Sequence, residues 1–524
     1  MKRSLPDELL SQLCERVVTL TGLDFPSQRR SDLETGLHKA ARRLGRDPEE
    51  WARSLLSTPP TKHQIQVLAS ELTVGETYFF REKRTFEVLA QRILPELIRS
   101  RRATERRLRI WSAGCCTGEE LYSVAILLDR ILPDFEEWQV NLLGTDINPR
   151  FLQKARDGVF GEWSFRDAPE WLKDNYFKAL GTRRFELLPR IRERAVFEYL
   201  NLAADPFPSL AANTNAMDLI LCRNVLMYFA PDRARSTVLS FHRSLLNGGW
   251  LIVSPAETSI ALFSAFSTVR LDGWTLYQKG PRVWQAGDAQ SDTTLRSAGP
   301  PANWPDLPRG KWESDGDRST GFPPVLPETV PAVSAAAPPE TPLPLCVTET
   351  ASPLGGPETG AGLTPFEEAR VLYEQGDYQG ACLKLKDQAE ESSCPAETLA
   401  FLARSSANLG QLEEARSWAE KAVEADKLNT EWHYVLAMIL QELGLLKTAA
   451  ESLNRCLYLD PGFVLAHFAL GNLALRQQNW TDAGRHFSNA LSLVSRYPDD
   501  KILPHSDGLA AGRLRDMIRA VRGG

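Results

Sequence analysis

The sequence predicts a multidomain chain: an all-α N-terminal domain, a doubly wound α/β domain and a C-terminal all-α solenoid. Three observations carry this. Apolar residues recur at helical spacing through about the first 75 positions, and short apolar runs alternate with helical patterns from about 108 to 280. Beyond the middle of the chain, small and apolar residues repeat every 34 positions. At 524 residues the chain is too long for one core, and a prior of ~150 residues per domain suggests about three.

The front end, residues 1–75, reads as helices. Leu9, Leu10, Leu13, Val17 and Leu20 mark one, and Leu33, Leu37, Ala41 and Leu44 a second, edged by Arg29, Arg30, Lys39, Arg42, Arg43 and Arg46. The net charge of −6 hides an asymmetry: residues 1–110 hold 21 Lys and Arg against 15 Asp and Glu, so that part carries +6 and the rest −12. A basic front end suits an acidic partner, nucleic acid or a Glu-rich protein surface; a solvated helical face is the plainer reading.

Residues 76–280 form the predicted α/β domain, with strands at 108–113, 140–145, 196–201, 217–222, 249–254 and 274–279 and helical patterns between most of them. That alternation argues for a mostly parallel sheet. Within it, the apolar run Leu108, Ile110, Trp111 breaks at Gly114, passes through Cys115-Cys116-Thr117 to Gly118, and resumes as a helix. Strand, tight turn, helix is the arrangement in which a nucleotide-like cofactor lies over the carboxyl end of a parallel strand. Asp146 closes the next strand, where a carboxylate can accept hydrogen bonds from a ribose diol. The turn departs from the dinucleotide fingerprint: it lacks GxGxxG, and Asp146 lies 32 residues past Gly114, against ~20 for that fingerprint. Glu119 and Glu120 at the helix start would repel a pyrophosphate. They suit a cofactor with a cationic centre and no phosphate, such as S-adenosylmethionine.

Residues 281–363 lose periodicity, and 15 of the 34 prolines fall in residues 300–365, so this stretch is expected to be a disordered linker. After it, in residues 364–495, Gly376, Gly410 and Gly444 share the 34-residue period with Ala381, Ala415, Ala449 and Ala483, and with Tyr378, Leu412, Leu446 and Trp480. Helix-turn-helix units of that length resemble tetratricopeptide repeats, which stack into a solenoid with a concave peptide-binding face. Residues 496–524 are expected to be a tail or capping helix.

The eight cysteines (Cys14, Cys115, Cys116, Cys222, Cys346, Cys382, Cys394 and Cys456) form no CxxC pair, and the seven histidines show no ligand spacing. Reduced thiols and no metal site are therefore expected. The first residues lack an apolar signal region and no apolar run approaches ~20 residues, so a cytoplasmic location without membrane insertion is expected.

Three segments occur in order: Thr73-Val-Gly-Glu-Thr-Tyr-Phe-Phe-Arg-Glu82, Ser112-Ala-Gly-Cys-Cys-Thr-Gly-Glu-Glu120 and Asp218-Leu-Ile-Leu-Cys-Arg-Asn-Val-Leu-Met-Tyr-Phe229. Together they resemble the CheR family of chemotaxis receptor methyltransferases over about residues 5–280. The resemblance implies a class I S-adenosylmethionine-dependent methyltransferase domain, transfer of methyl groups to glutamate side chains of chemoreceptors as γ-glutamyl esters, and release of S-adenosylhomocysteine. It implies a cofactor site of Gly75, Thr77, Arg81, Glu119, Asp146, Asn201, Leu202, Arg223 and Asn224, with Asn more usual at position 75. The basic second helix (Lys39, Arg42, Arg43 and Arg46) resembles the receptor-contacting helix. Residues 176–200 resemble the small β-subdomain that grips a receptor's C-terminal pentapeptide in some members. The loop around Gly181 is shorter here, which shifts targeting to the repeats and an unknown protein or peptide partner, and recruitment to receptor arrays follows. A glutamate is already a carboxylate at neutral pH, so no catalytic acid or base is assigned. Two other classes stay open at this point: a methyltransferase acting on another acidic protein or on nucleic acid, and a non-catalytic scaffold that binds the cofactor. Cys222-Arg-Asn224 in place of Asn-Pro-Pro-Tyr argues against an amino-group methyltransferase of nucleic acid, so no nucleic-acid partner is expected.

Overall fold

The computed structural model describes residues 5–102, 106–210, 212–271, 273–280, 364–389, 394–477, 479–499, 501–506 and 509–522. The expected linker, 281–363, lies outside the described residues.

Four helices open the chain: α1 (Asp7–Thr21), α2 (Arg30–Arg43), α3 (Pro48–Ser57) and α4 (Lys62–Leu72). Their apolar stripes, including Leu13, Val17, Leu33, Leu37, Trp51 and Leu68, close on one small core. Asp47 caps α3, and Thr61 with Gln64 forms a capping box on α4. The bundle is stitched to the α/β domain: Leu23 pairs with Phe229 as an isolated β-bridge, Asp24 N–H donates to the Tyr228 carbonyl at 2.8 Å, and Asn201 Nδ2 donates to the Leu20 carbonyl at 2.7 Å.

An irregular stretch, 73–82, leads into α5 (Lys83–Val88), a π-helical turn (Leu89–Ile93) and α6 (Leu94–Arg102). The α/β domain then runs β1 (Arg107–Ala113), α7 (Glu119–Ile131), β2 (Gln139–Asp146), α8 (Pro149–Asp157), β3 (Val159–Gly161), α9 (Trp171–Tyr176), β4 (Phe177–Ala179), β5 (Arg184–Leu187), α10 (Pro189–Arg192), β6 (Ala195–Tyr199), β7 (Met217–Leu221), α11 (Pro231–Ser244), β8 (Leu245–Ile252), β9 (Ser267–Leu271) and β10 (Trp274–Gln278). The main sheet has the order β6-β2-β1-β7-β8-β10-β9; β6, β2, β1, β7 and β8 are parallel, and β10 and β9 antiparallel. Every residue of β1 and β7 is buried, as central parallel strands covered on both faces require. The six predicted strands are present. β9 is an addition to them: only Val269 of its five residues is buried, and its apolar signal is correspondingly weak. The small antiparallel sheet, β3-β5-β4, draws its strands from 159–187 rather than from 176–200. Ala195–Tyr199 belongs instead to the main sheet, where it pairs in parallel register with Leu142–Asp146.

The C-terminal part consists of four helix pairs: α12 (Pro365–Gln375) with α13 (Tyr378–Ala389), α14 (Ala396–Asn408) with α15 (Leu412–Ala425), α16 (Thr430–Glu442) with α17 (Leu446–Leu459), and α18 (Val464–Arg476) with α19 (Trp480–Val494). A last helix, α20 (Ala511–Arg522), packs on α19. The periodic alanines sit where helices cross: Ala381, Ala403, Ala415, Ala437, Ala449 and Ala490 are all fully buried.

The turn glycines have a second use. Gly376, Gly410 and Gly444 adopt φ of +82°, +73° and +75°, ending the first helix of each pair in the left-handed conformation. Each also presses on the α/β domain. A Cβ would fall 2.3 Å from Arg243 Cγ at Gly376, 3.0 Å from Leu246 Cδ2 at Gly410 and 2.4 Å from Gln139 Nε2 at Gly444. Successive turns thus step across the end of α11, the starts of β8 and β1, and the start of β2. The solenoid lies along the base of the sheet, at the amino ends of its parallel strands.

One carboxylate holds this junction. Glu442, at the end of α16, accepts from Arg107 at 3.4 Å, Arg109 at 3.2 Å and Asn215 Nδ2 at 3.3 Å, with all three charged side chains at most 10% exposed. Gln139 Nε2 and Arg243 add bonds to the carbonyls of Leu443 and Glu374, both 3.1 Å. Glu442→Ala takes a carboxylate from two buried guanidinium groups while Arg109 keeps its bonds to Asn213 and Asn215, so it is expected to cost about 1–3 kcal/mol. Urea denaturation checks this; a loss under ~1 kcal/mol would mean that water reaches the junction.

Candidate active site

β1, β2 and β7 end side by side, and a cavity of about 1090 Å³, counted out to its mouth, opens over their carboxyl ends. Its walls come from the turns after these strands, from residues 72–81, and from Thr21, Leu23, Phe25 and Arg29 of the N-terminal domain.

The turn after β1 needs its glycines. Gly114 (φ +82°) and Gly118 (φ +93°) are left-handed, and a Cβ on Gly114 would sit 2.4 Å from Val225 Cγ2. Gly114 and Cys115 N–H both donate to the Thr145 carbonyl, at 2.7 and 2.9 Å, which lashes the turn to β2. Cys116 N–H and Asn148 N–H donate to the Asp146 carboxylate at 2.9 and 2.8 Å. Burial raises the Asp146 carboxyl to about 6, against the pull of those backbone donors. A carboxylate so desolvated gains from further donors, such as a pair of ribose hydroxyls.

Of the two glutamates opening α7, the structure places Glu120, not Glu119, in the cavity wall. Glu119 is 1% exposed and turned inward, taking hydrogen bonds from Thr117 Oγ1 at 2.6 Å and Ser164 Oγ at 2.9 Å. Adjacent helical residues differ by about 100° in direction, so one residue of phase decides which reaches the cavity. Glu120 accepts from Ser112 Oγ at 2.7 Å and from Arg223 at 3.0 Å.

Arg223 lines the cavity but is not available to an incoming carboxylate. It is clasped between Glu120 and Glu82, both at 3.0 Å, and donates to the Arg81 carbonyl at 2.6 Å. Glu82 stands outside the cavity wall, so what lines the cavity here is the Glu120–Arg223 ion pair. Asn224 (φ +57°) belongs to a turn organised by Glu257, which is absent from the residues expected at the site. The Glu257 carboxylate accepts from the N–H groups of Asn224 at 2.7 Å, Val225 at 2.7 Å and Met227 at 3.2 Å, and from Ser254 Oγ at 2.7 Å. Its signal in the sequence is Ser254-Pro-Ala-Glu257, a capping box.

Thr77 and Arg81 line the cavity, with the Arg81 guanidinium donating to the Glu76 carbonyl. Asn201 and Leu202 also line it. The Asn201 amide is already engaged, its Nδ2 with Leu20 and its Oδ1 with Ala203 N–H at 3.1 Å, so it fixes the N-terminal domain over the cavity. Gly75 is outside the wall, although Val74 and Glu76 are in it. A Cβ at 75 would meet Phe151 Cζ at 2.7 Å, and it is Phe151 that reaches the cavity. Lys39, Arg42, Arg43 and Arg46 lie outside the cavity, on the surface of the N-terminal domain; Arg43 approaches Glu71 at 3.5 Å.

Two further features of the wall lacked a sequence signal. Arg29 lies over the rings of Phe25 at 5.0 Å and Tyr228 at 5.5 Å, joining the two domains at the mouth. The thiols are inert by environment: burial pushes Cys115 and Cys222 well above their usual range and raises Cys116 too. Among the described residues no three His, Cys, Asp or Glu side chains converge as a metal site.

The cavity therefore offers a buried carboxylate at one strand end, the Glu120–Arg223 ion pair at the next and apolar walls between (Ile147, Phe151, Leu200 and Leu202). That set suits a ligand with ribose hydroxyls and an apolar ring.

Comparison with known proteins agrees. Residues 75–272 match the family described as CheR methyltransferase, SAM binding domain, and residues 396–427 and 431–463 match the tetratricopeptide repeat. Chemotaxis protein methyltransferase 2 of Vibrio cholerae is 33% identical over 216 residues, 41% of this chain and 73% of that protein. Chemotaxis protein methyltransferase 1 of Pseudomonas aeruginosa is 34% identical over 222 residues, 41% of this chain and 77% of that protein. Among solved structures, that of MamA is similar over 25% of this chain and 77% of its own, at 17% identity and a TM-score of 0.25.

The Gly75–Phe151 contact makes a sharp prediction. Gly75→Asn forces the Phe151 ring aside and is expected to cost about 1–3 kcal/mol, and Phe151→Ala in the same chain should return most of it. Urea denaturation of the single and double variants checks this; additive losses would show that the two positions do not compete for space.

Proposed function

The chain belongs to the CheR family of chemotaxis protein methyltransferases, which depend on S-adenosylmethionine, and on that premise we propose that it esterifies glutamate side chains on chemoreceptor cytoplasmic domains. The observation that carries the reading is the Asp146 carboxylate, held by two backbone N–H groups at its strand end, in the wall of the cavity that the Glu120–Arg223 pair also lines.

Bound there, S-adenosylmethionine supplies an electrophilic methyl on a sulfonium. The chain's own residues do the rest by position. Asp146 takes the ribose hydroxyls, and Ile147, Leu200, Leu202 and Phe151 form the apolar wall beside the adenine. Glu120 is a carboxylate of the wall that can face the cationic end of the cofactor. No side chain needs to remove a proton from the substrate, since a glutamate is ionised at neutral pH. Arg223, held by two carboxylates, does not quench the incoming nucleophile. Holding that carboxylate in line is worth roughly 7–11 kcal/mol of barrier, and the walls from both domains exclude water around it. The cations of α2 and its C-terminal end (Lys39, Arg42, Arg43 and Arg46) give a Glu-rich receptor helix its docking surface on the domain that also supplies Thr21, Leu23, Phe25 and Arg29 to the cavity. The repeats contribute a second contact to a protein partner.

Incubating the enzyme with labelled S-adenosylmethionine and membranes from the source cell should place alkali-labile methyl on receptor-sized bands, absent with Asp146→Ala. Alkali-stable label, or label on nucleic acid, would sink the glutamate ester. Asp146→Ala removes hydrogen bonds to a charged group, worth about 1.5–3 kcal/mol, so cofactor affinity should fall at least tenfold by calorimetry.

Affinity should also depend on pH through Asp146. Its carboxyl sits at about 6 in the folded protein, above the usual carboxylate value, and only the ionised form accepts two hydroxyl hydrogens. Binding is therefore expected to be flat above pH 7 and to weaken about tenfold per unit below 6. Folding has the opposite sign: the buried carboxyl favours its neutral form, so its contribution to stability is lost as pH rises through about 6. Affinity unchanged between pH 7.5 and 5 would remove Asp146 from the cofactor.

A further inference from the structure

Between the second and third helix pairs the first helices α14 and α16 meet directly, which puts first helices on the inner side of the solenoid there. On that inner side Glu431 and Leu465 occupy equivalent positions 34 residues apart, as do Tyr434 and Phe468. A concave face that awaits a peptide leaves such residues open. Here Tyr434, Leu465 and Phe468 are buried, in one cluster with Leu503 and Leu509 from beyond the last repeat.

The covering segment is a hook. After α19 the chain turns back; Ile502 bridges Ala510, and Leu503 N–H donates to the Leu509 carbonyl at 2.9 Å. At its tip His505, in the left-handed region at φ +58°, places Nδ1 2.6 Å from Glu431 Oε2 and stacks on Phe463 at 5.7 Å and 14°. Glu431 Oε1 accepts from Arg404 of the preceding first helix at 2.6 Å. Burial alone would raise the Glu431 carboxyl, but the His505 ring and Arg404 outweigh it and hold it below its usual range. The tip of the hook thus meets two successive repeats, at Glu431 and Phe463, and Arg404 of the repeat before them holds the carboxylate that His505 reaches.

We propose that the hook, Lys501–Ser506, is a tethered occupant of the peptide groove, and that the partner of the array is an extended peptide presenting a planar cation, His or Arg, to Glu431 and Phe463 with a leucine-sized residue two positions before it. The inference rests on reading the repeats as a peptide-binding element and adds the chemistry of the ligand and its internal competitor. An occupant on a short tether acts at a millimolar effective concentration. A partner therefore binds with its intrinsic affinity reduced by the small fraction of chains whose groove is open.

The probe is a fluorescein-labelled synthetic peptide with the sequence of residues 497–510, titrated by anisotropy into the full chain. His505→Asp sets like charges against each other at Glu431 and frees the groove without altering its wall. The probe should bind this variant at least ten times more tightly than the unaltered chain, and adding Glu431→Lys should abolish binding. A probe with Arg in place of its His should bind at least as well, and one with Ala should not. Equal or absent binding to both chains, or an Ala probe as good as the His probe, overturns the proposal. Should His505→Asp fail to fold, His505→Ala is read by hydrogen exchange. The Leu503 amide should exchange at least ten times faster than in the unaltered chain, and an unchanged rate overturns the proposal. None of these measurements involves methyl transfer, so failure of the glutamate-ester reading would leave their result standing.

Discussion

Where β1, β2 and β7 end, backbone N–H groups lose their sheet partners and must find acceptors, and this protein supplies carboxylates for that purpose. Asp146 takes the N–H groups of Cys116 and Asn148, and Glu257 takes those of Asn224, Val225 and Met227. Glu120, with Glu82, fixes Arg223 between the two turns. The strand-end loops are thereby held open rather than collapsed, and the cavity is the space between them. The same anions set its chemistry: Asp146 presents acceptors to hydroxyl groups, and Glu120 with Glu82 keeps Arg223 engaged. Fold and cofactor preference thus come from one set of side chains.

The opposite pole of the sheet solves a complementary problem. The amino ends of β1, β2 and β8 carry Arg107, Arg109, Gln139 and Leu246, which meet three consecutive turns of the solenoid. The turn glycines are needed for their left-handed backbone, and a Cβ at any of them would also push aside a side chain of the α/β domain, Arg243, Leu246 or Gln139. A periodic array is well matched to a sheet edge, since both present contacts at regular intervals. Glu442 then fixes the register, because only one turn can place its carboxylate between Arg107 and Arg109.

The parts legible in the sequence were those with a period or a forced backbone. The 34-residue spacing of Gly376, Gly410 and Gly444 and the break at Gly114 each reflect a conformation that few residues adopt. The alternation of strands and helices was readable for the same kind of reason, except at β9, whose one buried residue leaves little apolar signal, and in the small sheet, whose short strands lie in 159–187 rather than in 176–200. Choices between neighbours were not legible. Glu119 and Glu120 are chemically equal, and only the rotation of α7 against Ser164 and Thr117 assigns one to the core and the other to the cavity. Gly75 could be matched to a motif, but the ring of Phe151, 76 positions away, is what its missing side chain makes room for. Glu257 was hidden because a short capping box reads as a local turn, while its carboxylate works on a loop 30 residues back. Long-range partners of that kind are set by packing, which a single sequence does not display.

The two poles constrain how targeting and catalysis combine. β2 has eight residues, so the cavity and the docked turns of the solenoid are separated by about 26 Å at ~3.3 Å per residue. The hook lies near the starts of α16 and α18, a helix length from the docked turns that follow the ends of the first helices, and α20 beyond it packs on β6. Among the described residues of the two flanking domains, those of the N-terminal domain line the cavity, Phe25 and Arg29 among them. On the function proposed above, substrate choice falls to that domain, and the solenoid adds local concentration through a second contact. Such a contact works best when it is weak enough to release. A groove already filled by the chain's own hook lowers the affinity of every partner by the same factor while preserving selectivity among them.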